Sequence, residues 1–448
     1  MNKKFIDIIE YSFFITLLLI SIITSEVNFS FGYILLKIIT FFTLLFLMMK
    51  SWIRNGVFSL YSLFIDFSMF FVFSRLFFDL INYIPLTTFL FFGRKTFSEG
   101  LIFTILIRNI FFLIAIDMGY YLSHSYTIRE KKVNFDSNVE KILFVLYIFS
   151  AIWFGFKAIL DIKTVLIYGY SAVLSDLRVD YPFWLKGAGT VFITLFYSLF
   201  LVKHTKKKWM QIIIVYLILM LLTGLRGSRA SFIVPLIFAI YVMNELKVIS
   251  IKLKQFVLFI LLIIGFIFLI TIARGENLTY IKSFKDIFYY IFYNQGNTFG
   301  LLTYYAENKQ DIKVSQNLPI IISDLLSYYN KNFHTGSEII GKYANTSTLS
   351  GIGLGQSLFL ELFDMPFAFS LLLSCFIGAM IKFTEKNLLI NRNCIVVFCI
   401  MSCSIFYMPR DILFAALEPL NFVYVFGSLF LFVFFKFFYN KKKLIVNN

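Results

Sequence analysis

Long apolar runs alternate with short polar turns along the whole chain, and a helix that crosses a bilayer needs about 20 mostly apolar residues. Runs of that kind lie near 8–25, 31–50, 57–81, 100–123, 142–162 and 186–202. Others follow near 209–224, 229–246, 255–273, 357–382, 394–408 and 420–438. The pattern predicts an all-α polytopic integral membrane protein of about 12 transmembrane helices. One connection departs from it. Residues 274–356 form a stretch of about 80 residues, too long for a turn and too patterned for a structureless linker. Its apolar segments, such as Ile287–Tyr293 and Leu318–Tyr329, have the length of interfacial or re-entrant helices and fall short of full spans. The expected division is therefore 1–273 for helices one to nine, 274–356 for one large loop, and 357–448 for helices ten to twelve with a basic tail.

Charge then orients the spans. Lys50 and Arg54 share one set of alternate connections with Arg129, Lys131, Lys132 and Lys141, and with Lys203 and Lys206 to Lys208. Lys247, Lys252 and Lys254, then Lys386 and Arg392, then Lys441 to Lys443 continue the set. Cytoplasmic loops carry the excess of Lys and Arg, so both termini are expected in the cytoplasm and the large loop outside. The Met1-Asn-Lys-Lys start resembles the basic region of a signal peptide. No small-residue cleavage site follows the first run, so it reads as a retained first helix.

Composition narrows the class. The chain is 59% hydrophobic and only 15% charged, against about 25% charged in soluble domains. Its net charge of +16 is spread over short loops and gathers on no soluble face, which argues against a nucleic-acid partner. Cys375, Cys394, Cys399 and Cys403 sit in apolar stretches with neither Cys-x-x-Cys spacing nor paired histidines, so no zinc or redox site is expected. P-loop and Rossmann glycines are missing too, and neither metal nor cofactor is expected.

Charges inside the spans need a reason, since each costs at least ~2.5–3.5 kcal/mol at the bilayer centre. Arg75 and Asp79 stand four apart in the third run, as an internal ion pair or with Arg75 turned to an anionic group. Arg108 has no carboxylate within four residues and needs a partner from elsewhere. Asp66 and Asp117 read as close enough to a membrane face to be hydrated. The turn Leu222-Thr-Gly-Leu-Arg-Gly-Ser-Arg-Ala230 sets Arg226 and Arg229 three residues apart on the external side, against the charge rule. Two such guanidiniums can grip phosphate oxygens bidentately. Arg274 and Arg410, at the exits of the ninth and eleventh runs, bring the count at that membrane level to four. A lipid-linked diphosphate needs such a cluster. Acid–base groups on the same side are Glu276, Asp324, His334, Glu338, Glu361 and Asp411, with His334 and Glu276 as the catalytic candidates. Tyr290, Tyr293, Tyr304, Tyr305, Tyr328 and Tyr329 serve either as sugar-stacking platforms or as packing aromatics.

Four short motifs carry a family resemblance. They are Thr223-Gly-Leu-Arg-Gly-Ser-Arg229, Tyr293-Asn-Gln-Gly-Asn-Thr298, Gly351-Ile-Gly-Leu-Gly355 and Met408-Pro-Arg410. Together with the topology they resemble the O-antigen polysaccharide polymerase family of Wzy type. The resemblance implies a fold like that of C-type membrane glycosyltransferases and O-antigen ligases. It implies action at the outer face of the bacterial inner membrane on oligosaccharide units carried by undecaprenyl diphosphate. The growing chain passes from its carrier to the non-reducing end of the next unit, with no nucleotide sugar and no metal. A chain-length regulator and a flippase of the same pathway are the implied partners, beside the lipid bilayer itself. Arg226 and Arg229 match the family's arginine turn, while Arg274 and His334 correspond by placement only. Two rivals stay open on the sequence. A lipid-linked oligosaccharide flippase would use Arg75 and Arg108 in a midplane cavity, although the unequal halves show no repeat. An O-antigen ligase would share the fold and the arginines.

Overall fold

The structure, a computed structural model, describes residues 3–81, 84–89, 95–124, 137–168, 181–225, 230–249, 296–314, 318–330, 332–343, 357–388 and 394–446, with isolated positions between 261 and 289. Among these, eight helices are long and apolar enough to cross a membrane: Ile6–Val27, Phe29–Asn55, Glu99–Leu122, Asn138–Tyr168, Phe183–Phe200, Lys206–Leu225, Phe367–Asn387 and Pro419–Phe437. Phe232–Glu245 and Ile395–Arg410 are shorter apolar helices. The chain is thus an all-α polytopic membrane protein. Most of the 255–273 run lies outside the described residues.

The chain divides into two compact units. The first holds residues 1–126, 283–385 and 404–416. It opens with α1 (Lys3–Val27) and α2 (Phe29–Asn55), which pack together. Asn28 caps α2, its side chain accepting from the Phe31 amide at 3.2 Å. The third apolar run is a broken helix. α3 (Leu60–Ser68) passes into a π-helical segment (Met69–Phe73) and then α4 (Ser74–Leu80). A two-stranded ribbon of β1 (Thr88–Phe89) and β2 (Lys95–Thr96) precedes α5 (Glu99–Leu122), which Ser98 caps.

A buried ionic network joins α1, α2 and α5. The Lys50 ammonium lies 2.8 Å from Asp117, 3.0 Å from Glu10 and 3.3 Å from Asp7. Arg54 pairs with Asp7 and with Glu10, and Asp117 also accepts from the Tyr11 and Tyr61 hydroxyls. Asp117 is fully buried. The expectation of a hydrated Asp117 is corrected, because Lys50 of α2 and the hydroxyls of Tyr11 of α1 and Tyr61 of α3 surround it in place of water. Asp79 takes Lys37 of α2 as its ion-pair partner, at 2.7 Å.

Short helices supply the rest of this unit: α11 (Asn297–Glu307), α12 (Lys309–Val314), α13 (Ile320–Ser327), α14 (Gly336–Tyr343) and α15 (Leu358–Asp364). Between α5 and α11 the second unit contributes α6 (Ser137–Tyr168), α7 (Phe183–Lys186), α8 (Ala188–Phe200), α9 (Lys206–Leu225) and α10 (Ala230–Glu245). After α15 come α16 (Phe367–Asn387), α17 (Ile395–Tyr407), two 3-10 turns at Met408–Arg410 and Leu413–Leu417, and α18 (Pro419–Val446).

The expected single span over 357–382 is corrected to two helices, α15 and α16, separated at Met365-Pro366. Proline has no amide to donate and its ring clashes with the preceding turn, while the residue before it is driven to an extended conformation. Met365 adopts one, with φ −78° and ψ 162°. The short helix expected within Leu318–Tyr329 is α13. α5 and α16 approach to backbone contact, since a Cβ on Gly119 would strike the Cys375 carbonyl and one on Gly378 the Ile116 carbonyl. The Tyr120 hydroxyl donates to Glu385 at 2.9 Å and Lys382 to the Ser123 carbonyl at 2.7 Å, so the two helices run the same way.

The second unit holds residues 127–282, 386–403 and 417–448. Aromatic stacking builds much of its core. Phe196 and Tyr216 lie 4.0 Å apart between centroids and nearly coplanar, and Tyr147 stacks on Phe192. The Tyr147 hydroxyl donates to the Ile212 carbonyl at 2.8 Å. Many of the sixty phenylalanines are accounted for by such packing.

Candidate functional site

The π segment in the third apolar run lies in the first unit, between α3 and α4. A π turn widens the helix and takes carbonyls out of the regular ladder. The Phe71 carbonyl accepts instead from the Thr298 hydroxyl of α11. Two arginines flank this segment. Arg75, the second residue of α4, is buried to 1% exposure with its guanidinium 4.2 Å over the Phe89 ring. Gly296 makes room for it, since a Cβ there would come within 2.8 Å of the Arg75 Cγ. Arg410, in the Met408–Arg410 turn, has its guanidinium 4.9 Å from the centre of Phe71.

α15 packs against α5, α11, α13 and the Met408–Arg410 turn. Arg108 of α5 lies 4.2 Å over the Phe363 ring and donates to the Met365 carbonyl at 3.0 Å. Its Nε is buried with no hydrogen-bond partner among the described residues. Asp364 lies near enough to act on its charge. That carboxylate is itself held by the Tyr305 hydroxyl at 2.5 Å and the Ile320 amide at 2.9 Å, with Lys309 at 3.7 Å.

One turn earlier on α15 stands Glu361, fully buried and hydrogen-bonded to the equally buried Asp324 of α13. α15 lies outside the spanning helices. Burial first, and then the charge of Asp324, push the Glu361 carboxyl well above the ordinary glutamate range. Asp324 accepts from the Gly336 amide at 2.7 Å, and Glu361 from the Leu413 amide at 2.9 Å. His334 sits just before α14. Its Nδ1 is 3.5 Å from Glu338, its side chain is 39% exposed, and its carbonyl accepts from the Ser323 hydroxyl at 2.8 Å.

Four of the sequence candidates, Arg75, Arg108, Arg410 and His334, therefore sit on one connected set of packed helices and turns. Arg226, Arg229, Arg274 and Glu276 lie outside the described residues. The pairing of Asp324 with Glu361 has no signature in either segment alone. Its one sequence signal was the composition of Leu358-Phe-Leu-Glu-Leu-Phe-Asp364, which sets two carboxyls in otherwise wholly apolar surroundings. Among the described residues, no group of three or more His, Cys, Asp or Glu side chains is arranged to hold a metal ion.

The family model for the O-antigen polysaccharide polymerase Wzy matches residues 6–442, nearly the whole chain. The chain belongs to that family. No curated protein and no solved structure matches it. Membership makes this multi-pass membrane protein an O-antigen repeat-unit polymerase, a glycosyltransferase-type enzyme whose substrate is a lipid-linked oligosaccharide. It favours neither the flippase nor the ligase alternative. The Wzy match also spans all four motifs that carried the resemblance.

Proposed function

We propose that this polymerase works at the outer face of the bacterial inner membrane, with both termini in the cytoplasm and undecaprenyl diphosphate as the carrier. The growing chain leaves its carrier and joins the non-reducing end of the next lipid-linked unit. In that step an acceptor hydroxyl loses its proton and its oxygen bonds to the anomeric carbon. The bond from that carbon to the phosphate oxygen breaks, and its electron pair departs on the diphosphate. Two demands follow: cationic stabilisation of the leaving diphosphate and a proton acceptor for the hydroxyl. Arg226, Arg229, Arg274 and Arg410 are the candidates for the first, Arg75 and Arg108 are further substrate-binding candidates, and no metal ion is needed. His334 meets the second, because its imidazole is accessible and has Glu338 beside it. Glu276 is the other acid–base group of the large loop. A chain-length regulator and a flippase of the same pathway complete the assembly.

The observation that supports this reading most is the grouping of three arginines and a histidine, distant in sequence, around the π segment and α15. Arg108 in particular has hydrogen-bonding capacity to spare. The basic connections support the orientation, since they put the Lys50–Asp117 network at the cytoplasmic end of α5. The test is chain extension in cells. Arg226→Ala, Arg229→Ala and Arg410→Ala are expected to stop extension while a single repeat unit still reaches the surface. Wild-type modal chain length in all three overturns the assignment. Deleting the gene is expected to leave one-unit surface glycans, whereas loss of all surface glycan identifies a flippase.

A further inference from the structure

The proposed site relies on two pieces of irregular backbone, the turn that carries His334 and the turn that carries Arg410. Neither is long enough to hold its own shape, so something beneath must fix them. Two adjacent residues of α13 hold the first. The Ser323 hydroxyl donates to the His334 carbonyl at 2.8 Å, and Asp324 accepts from the Gly336 amide, two residues further on, at 2.7 Å. Glu361 of α15 holds the second by accepting from the Leu413 amide, three residues after Arg410, at 2.9 Å. Asp411 braces that turn locally by accepting from the Ile412 amide at 2.8 Å. The link between the two holds is the Asp324–Glu361 hydrogen bond itself.

We propose that Asp324 and Glu361 are positioning residues that share one proton and so clasp the His334 turn to the Arg410 turn. The proposal rests on the reading of those two residues given above. Both carboxyls are fully buried, so neither touches the acceptor sugar, and they act through the turns they hold. Two carboxylates in hydrogen-bond contact in a dry site cannot both be ionised; one proton converts their repulsion into a bond. Each remaining acceptor oxygen then meets a backbone amide, so the pair is satisfied without water.

The groups around the pair decide where the proton sits. Burial drives it onto Glu361, and the charges of Asp324 on α13 and Asp411 on the Arg410 turn act the same way. The Leu413 amide acts in the opposite direction and is outweighed. Arg108 faces α15 from α5 but lies toward Asp364, as do Tyr305 of α11 and Lys309 of α12. Arg410 stacks on Phe71 of the π segment. His334 and Glu338 face each other on the far side of the Gly336 amide. The sign follows from the raised Glu361 value. The clasp is complete where an unfolded glutamate would still be protonated. Its contribution falls as pH rises above that range, and it is lost once pH passes through the raised folded value.

The test uses the full-length polymerase in lipid nanodiscs with native lipid-linked repeat units extracted from a deletion strain. Two quantities are read: amide hydrogen exchange at Gly336 and Leu413, and extension rate against pH. Glu361→Ala and Asp324→Ala are expected to expose both amides and slow extension by about a hundredfold, the order expected when catalytic groups move by about 1 Å. Glu361→Gln puts an amide donor where the proton was. It is expected to keep both amides protected, to extend within about threefold of wild type, and to hold its rate to a higher pH. Loss of extension in Glu361→Gln as complete as in Glu361→Ala overturns the proposal, because the carboxyl would then be needed for itself. Unchanged amide protection in the alanine variants overturns it as well. Should those variants fail to accumulate, the alkaline shift in Glu361→Gln decides alone, and an unshifted profile overturns the clasp. A different result separates the two readings. If the amides behave as expected but His334→Ala and Arg410→Ala extend normally, the clasp stands and the assignment of His334 and Arg410 falls.

Discussion

Two buried clusters of charged groups border α5, one at Asp117 near its C-terminal end and one beside Arg108 near its middle, and the two are built on different principles. Around Asp117, carboxylates alternate with the cations Lys50 and Arg54, and two tyrosine hydroxyls satisfy the remaining acceptor capacity. Around α15, the carboxyls Glu361 and Asp324 face each other, while Arg108 and Arg410 stack on aromatic rings. The first cluster is closed, since its charges find partners inside it. The second leaves capacity unused at the buried Arg108 Nε, which has no hydrogen-bond partner among the described residues. Burying opposite charges together secures a fold once the hydrogen bonds are complete. A buried donor left without a partner costs stability, and such groups collect where a substrate supplies what is missing.

Substitutions in the two clusters should therefore separate activity from stability. The largest effect is expected from Arg410→Ala, which should lower extension by about 10²–10³-fold, the range for removing one preorganised donor from a charge-stabilising site. Protein level and melting temperature in detergent should stay near wild type; a fall in both, with extension spared, would erase the contrast. Asp117→Ala is expected to do the reverse. It leaves Lys50 with only Asp7 and Glu10 and takes the acceptor from the Tyr11 and Tyr61 hydroxyls, which should cost about 1–3 kcal/mol, read as a lower melting temperature and lower accumulation. Polymer made by the surviving enzyme should keep its modal length. A milder loss in the Asp117→Leu, Lys50→Met double variant would show that the cluster matters as a pair.

Two further substitutions sharpen the contrast. Gly378→Ala forces a methyl into the Ile116 carbonyl at the α5–α16 contact, and overpacking of this kind costs about 1–3 kcal/mol. It should lower the melting temperature with no change in chain length. Thr298→Val removes the donor that satisfies the Phe71 carbonyl in the π segment, at about 1 kcal/mol. Because that segment lies between Arg75 and Arg410, a small loss of extension should accompany the small loss of stability. A stability loss alone would place the π segment with the Asp117 cluster.

How far the site was legible follows from how local each signal is. Arg75, Arg108 and Arg410 stand out in the sequence because a charge at or near a span is costly wherever the chain goes next. Their surroundings were not legible. Arg108 needed a partner from elsewhere, and it found the Met365 carbonyl and the Phe363 ring, hundreds of residues away. Asp79 looked like the intrahelical partner of Arg75, yet its 2.7 Å partner is Lys37 on α2. Asp117 looked hydrated from its position in a run, whereas three other helices close over it. Asp324 and Glu361 were both on the page as acid–base groups, but their contact joins α13 to α15 across a gap that no spacing rule reports.

The amino-acid sequence alone determined that this protein is an all-α, multi-pass membrane protein and which connections are basic. It also carried the motifs of its family. Those properties depend on hydrophobicity and charge summed along the chain, so they can be read in order. Only the tertiary structure decided where the 357–382 run breaks at Met365-Pro366, that α5 and α16 touch backbone to backbone, and that the carboxyls of Asp324 and Glu361 meet between the His334 and Arg410 turns. Those outcomes depend on which segments meet, and a burial or a pairing has no value until its partner arrives.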